Sequence, residues 1–169
     1  MHALLNLFVD ICLLRKGPQD LPASWALFRL SLAAYAASSL LFQAASVSFA
    51  VAVQQSLVDL ALLAGLTYLV LNVLGFRRRF VQTLTALAGA GALLQLVAWP
   101  LWLWTVRAAA GDGAGALPQL LFLLLLLWNI AVFAHILRHA LSTSRGMGLL
   151  YTLGYVIVSV TVMSLFFPS

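Results

Sequence analysis

The sequence predicts an all-α, polytopic membrane bundle: five transmembrane helices preceded by a short interfacial amphipathic helix. Three observations carry this expectation. The 169 residues are 64% hydrophobic and 8% charged, with a mean hydropathy of +1.07, outside the range of soluble domains. Five apolar runs each approach or exceed the roughly 20 residues that a helix needs to cross a bilayer. The basic residues sit mostly in short segments between those runs. Backbone groups in hydrocarbon must be satisfied internally, and nothing alternates with the period of a barrel strand, so the runs are read as helices.

The chain divides into an arm, 1–19, and a five-helix domain, 20–169. In the arm, "ALLNLFVDICLL" is too short to span. His2, Asn6 and Asp10 recur at i, i+4, i+8 and share one face, which predicts a helix lying on the membrane or on its own bundle. Arg15 and Lys16 follow the apolar stretch and do not precede it, so the segment is not read as a secretory signal and is expected to be retained. Gly17-Pro18 turns the chain, and Asp20 with Pro22 reads as a helix start. The spans are expected at about 24–43, 48–74, 80–106, 118–138 and 147–167. Pro100 is expected to kink the third, and "GDGAG", 111–115, reads as a flexible turn and not a nucleotide loop.

Charge gives the orientation. Eight arginines and one lysine face four aspartates and no glutamate. Arg15 and Lys16, "FRRRF" (Arg77, Arg78, Arg79) and "RHALSTSR" fall on one side of a five-span chain; the other two linkers carry one Arg and one Asp. The positive-inside rule then puts the N-terminus in the cytoplasm and the C-terminus outside. Trp99, Trp102 and Trp104 fall at the external end of the third span, where an aromatic belt belongs. The net charge of +5 is read as topology signal and anionic-lipid contact, not as a nucleic-acid footprint. Arg over Lys with abundant Ala and Leu fits a bacterial protein, hence a bacterial inner membrane.

Inside this apolar frame "VAVQQSLVDLAL", 51–62, stands out. Gln55 and Asp59 are one turn apart on one face, and counting from the helix ends puts Asp59 about 22 Å deep. Gln95, Ser38, Ser39 and Thr161 reach a similar depth, which predicts an intramembrane polar layer of Asp59, Gln55 and Gln95. Arg29 lies only about 8 Å in and is expected to snorkel, so an Asp59–Gln95 pairing ranks above Arg29–Asp59. An ionised carboxylate at mid-membrane costs about 2.5–3.5 kcal/mol on insertion scales. Two readings follow: Asp59 fastens helices by hydrogen bonds, or it marks a proton or cation path.

Other features point less far. His135 and His139 are spaced i, i+4, as metal ligands on one helix face can be, but no further ligand accompanies them and no metal is expected. Lipid headgroups or backbone are their expected contacts. Cys12 is the only cysteine, so no intrachain disulfide forms. Small residues in "SLAAYAASS" and "TALAGAGA" predict close helix contacts. No catalytic set and no cofactor motif is recognisable, so neither an enzyme nor a cofactor is expected.

The chain length, the five spans, the N-inside orientation and the last third, "LLWNIAVFAHILRHALSTSRGMGLLYTLGYVIVSV", resemble the Yip (Ypt-interacting protein) family of small membrane proteins. The arm closing in "RKGPQDLPASW" is similar to that of bacterial members, whereas the "DLYGP"-like signature of eukaryotic members is missing. The resemblance implies a five-helix bundle that works through lipids or other membrane proteins. The first functional expectation is therefore an inner-membrane accessory or scaffold protein that assembles with a larger membrane partner or with itself. The alternative is a small transporter or ion- or proton-conducting protein using the Asp59, Gln55 and Gln95 layer.

Overall fold

A computed structural model describes residues 2–109 and 116–167, with side chains over 4–108 and 116–167. The 111–115 turn and the His2 side chain lie outside the described residues. Among the described residues the fold is an all-α bundle of six α-helices: α1 (His2–Cys12), α2 (Trp25–Gln43), α3 (Phe49–Val73), α4 (Phe80–Ala109), α5 (Ala116–Ala140) and α6 (Arg145–Phe166). Five of them, α2 to α6, are long and apolar enough to cross a membrane. Large apolar side chains are exposed on every one of these helices, including Leu30, Leu57, Leu96, Leu124 and Ile157, as a lipid-facing surface requires.

Helix ends follow from local chemistry. Ser24 caps α2 by accepting from the Leu27 N–H at 3.4 Å, and Ser144 caps α6 by accepting from Met147 at 3.3 Å. Asp20 does not start α2. Its carboxylate accepts the Gly17 N–H at 2.8 Å and closes a separate 3₁₀ turn, Pro18–Asp20. Three helices end in the same left-handed motif. Leu14, Gly75 and Ser142 have φ of 62°, 80° and 51°. The next residue's N–H reaches back five positions in each: Arg15 to Asp10, Phe76 to Leu71 and Thr143 to Arg138. Only Gly75 takes that conformation without a steric cost.

Helix α4 is the hub. It packs against α1, α2, α3 and α5, while α6 rests mainly on α5 with a thin contact to α3. In their most apolar stretches, 56% of α4 is buried but only 6% of α6, which makes α4 central and α6 peripheral. The cause lies in "TLTALAGAGA": every residue from Thr83 to Ala92 is buried, because small side chains let neighbours approach on all sides. Thr83 and Thr85 return their hydroxyls to the carbonyls of Arg79 and Val81, so neither leaves an unpaired group in the core. In a membrane this close packing, not water exclusion, holds helices together.

The arm packs on the bundle. Phe8 and Ile11 are buried against α4, where a Cβ at Gly89 would overlap the Phe8 ring. Leu5, Val9 and Leu13 point outward. Trp128 on α5 donates to the Cys12 carbonyl at 3.0 Å, and Gln82 on α4 donates to Leu21 at 3.0 Å, so arm and linker are tied to two helices. At the opposite end Trp102 donates to Ser46 at 2.8 Å, fixing the α2–α3 turn to α4. Helix α4 continues unbroken through Pro100.

A polar cavity between five helices

The residues around Asp59 assemble on a helical register. On α2, Ser31, Tyr35, Ser38 and Ser39 are spaced i, i+4, i+7, i+8, and all four are buried. That stripe faces α3 and α4. Ser39 donates to Asp59 Oδ2 at 3.2 Å and accepts from Gln43 at 3.4 Å, one turn further along α2. The result is a relay, Gln43 to Ser39 to Asp59, with each donor satisfied. Next to it, the Ser38 hydroxyl bridges the Tyr35 carbonyl at 3.0 Å and the Gln95 carboxamide of α4 at 2.5 Å.

These groups open into a cavity of about 320 Å³ to which all five long helices contribute. Tyr35, Asp59, Gln95, Asn129, Tyr155 and Ser159 supply its polar groups; aromatic and aliphatic side chains supply the rest of the wall. The Tyr35 hydroxyl neighbours both the Asp59 carboxyl and Tyr155, and Tyr155 in turn neighbours Ser159. Ser159 Oγ is buried beside the Tyr155 hydroxyl. A second cavity of about 230 Å³, nearly all apolar, lies between α3 and α6, and Phe133 and Tyr155 belong to the walls of both.

The structure brings some sequence-predicted residues together and separates others. Asp59 and Gln95 line one cavity, but each pairs with its own serine and not with the other. Gln55 is half-buried, does not line the cavity, and stands outside the constellation. Thr161 is exposed and returns its hydroxyl to Ile157. Arg29 makes no salt bridge among the described residues. Tyr35, Asn129, Tyr155 and Ser159 were missed. Tyr155 and Ser159 sit at i, i+4 on α6, a spacing that could have drawn attention to them.

The basic end has its own contacts. Lys16 pairs with Asp10 at 3.6 Å, and Arg15 and Arg78 are exposed. Arg77 lies over the Tyr68 ring at 5.5 Å. Arg79 turns inward, donating to the Ala140 carbonyl at 2.8 Å and to Ser142 Oγ at 2.7 Å, so it caps α5. His135 Nε2 meets the Lys16 carbonyl at 3.1 Å, and its ring meets His139 edge to face at 4.5 Å. Among the described residues no three His, Cys, Asp or Glu side chains converge as a metal site.

No family model, no curated protein and no solved structure matches the chain.

Proposed function

We propose that this is a multi-pass protein of a bacterial inner membrane in which the Asp59 cavity holds a solute or ion during passage, as in a small transporter. Lys16, Arg77, Arg78, Arg79, Arg138 and Arg145 all belong to the helix ends and turns on one side of the five-helix chain. By the positive-inside rule that side faces the cytoplasm and the C-terminus faces outward. The observation that carries the reading is the Asp59 carboxyl on the wall of a cavity that all five long helices line. A helix-fastening carboxyl needs no cavity; a carrier does. The test is proton or cation flux in liposomes reconstituted with purified protein. Flux that falls at least tenfold in Asp59→Asn, with folding retained, supports the reading; inert wild-type liposomes sink it.

A second reading, an accessory protein bound to a membrane partner or to itself, is favoured by α6. Gly146 and Gly154 have no neighbour within 4 Å of a Cβ position, leaving an open path for a second helix. Native mass spectrometry from mild detergent separates the two: a stoichiometric protein companion supports assembly, and a monomer that conducts supports transport.

A further inference from the structure

We propose that the cavity binds a small lipophilic ammonium ion, which enters between α5 and α6 and pairs with Asp59. This deepens the carrier reading above and rests on it. Charge comes first. Among the described residues Asp59 is the one acidic group on the wall, and no Lys or Arg lines the cavity. A carboxylate in this setting requires a proton or a cation beside it. An occupant that takes the proton's place on Asp59 has to carry positive charge itself.

The wall selects the kind of cation. Phe42, Phe122 and Phe133 with Tyr35 and Tyr155 give five aromatic rings on the wall that Asp59 shares. Ring faces attract organic ammonium groups and also cover an apolar body. Inorganic cations such as Ca²⁺ or Mg²⁺ instead take about six oxygen ligands around one point. A volume of about 320 Å³ is at the lower end of small-molecule pockets and is larger than a bare ion needs. Trp102 packs at a tilt against Phe42 and Phe122, with centroids 6.1 and 5.4 Å away, and backs the wall at that end.

The mouth selects its polarity. Leu126 of α5 and Val160 of α6 line the cavity yet are 49% and 62% exposed, so the opening lies on the apolar flank of the bundle. A ligand arriving there comes from hydrocarbon. An amine with an apolar body partitions into that region, whereas a hydrated metal ion does not. Once inside, its N–H groups pair with Asp59 and its body meets the rings.

Equilibrium binding of 2-phenylethylamine to the full chain in zwitterionic-lipid nanodiscs tests this, with neutral propylbenzene as comparator. The expected result is saturable amine binding weakened at least tenfold in Asp59→Asn, while propylbenzene binding changes less than twofold. Val160→Trp, at an exposed position that leaves Asp59 in place, is expected to slow amine entry at least fivefold. Amine binding that is absent, or equal in wild type and a folded Asp59→Asn, overturns the inference. Asp59-dependent proton flux without amine binding overturns it too, but leaves the carrier reading standing.

Discussion

Phe8 of the arm seats its ring directly on Gly89, in the middle of the buried stretch of α4. The glycine makes the contact available: a Cβ there would occupy the space of the ring itself. Phe8 cannot swing clear cheaply, because it is 7% exposed and belongs to the main core. Gly89→Ala is expected to cost about 1–3 kcal/mol by overpacking, and Phe8→Ala about 3–5 kcal/mol through the cavity it leaves. Thermal unfolding in detergent measures both. The double variant Phe8→Ala/Gly89→Ala should be less destabilised than the sum of the singles, since the added methyl fills part of the void.

Cys12 reports on the same seat. Its Sγ lies 3.9 Å from the Ala90 carbonyl, and burial pushes the thiol up from 9.0 to about 11. The thiolate is the reactive form, so at pH 8 alkylation should be about 100-fold slower than for a free thiol of ordinary acidity. The rate should rise about tenfold per pH unit until near the raised value. Gly89→Val, which lifts the arm, is expected to speed labelling at constant pH. A mass-shift assay with a membrane-permeant maleimide reads this, and fast labelling of the folded wild type would show that the arm is not seated.

Arg79 and Ser142 form a second latch. The guanidinium holds the last α5 carbonyls while Ser142 stands in the left-handed conformation between α5 and α6. Arg79→Ala is expected to cost about 1 kcal/mol, low in the range for charge-assisted bonds because the side chain is exposed. Arg79→Lys should restore part of it, since the contacts all come from one nitrogen, Nη1, which a single ammonium can imitate. Ser142→Ala loses the bond and keeps the unfavourable backbone, whereas Ser142→Gly relieves about 1 kcal/mol of it. Melting curves should therefore rank Ser142→Gly above Ser142→Ala.

Much of the bundle was legible because hydrocarbon allows few solutions. Runs such as "LLFLLLLLW" have to be helical in lipid, and residues 24–43, 48–74 and 80–106 coincide closely with α2, α3 and α4. The arm was legible as an amphipathic helix, but its seat was not, because the partner of Phe8 is an absence of side chain 81 positions away. Helix ends at Leu14 and Ser142 escaped notice because neither residue is the glycine that normally marks a left-handed cap. Asp59 stood out as a charge among apolar neighbours, and Gln95 by depth. Gln55 was misjoined, since the buried stripe of α3 runs through Ala52, Ser56, Leu63, Thr67 and Leu71 and leaves it half outside. Tyr35 and Tyr155 read as ordinary apolar-run aromatics until three helices placed their hydroxyls beside one carboxyl.

Gly91 controls that placement. A Cβ at Gly91 would stand 2.7 Å from Cε2 and 3.0 Å from Cδ2 of Tyr35, and 3.6 Å from Phe133. Tyr35 is 4% exposed and held on a helix whose neighbouring Ser38 is tied to Gln95, so its ring has little room to yield. Gly91→Ala is therefore expected to push the Tyr35 hydroxyl away from Asp59 and to cost about 1–3 kcal/mol of stability. Tyr35→Phe removes the same hydroxyl with the ring in place and should leave the melting temperature closer to wild type. If the hydroxyl positions Asp59, both variants lower Asp59-dependent flux or binding to a similar extent despite different stabilities. If the ring alone matters, Gly91→Ala lowers it and Tyr35→Phe does not. Measuring melting and ligand binding on the two variants side by side separates packing from chemistry at this contact.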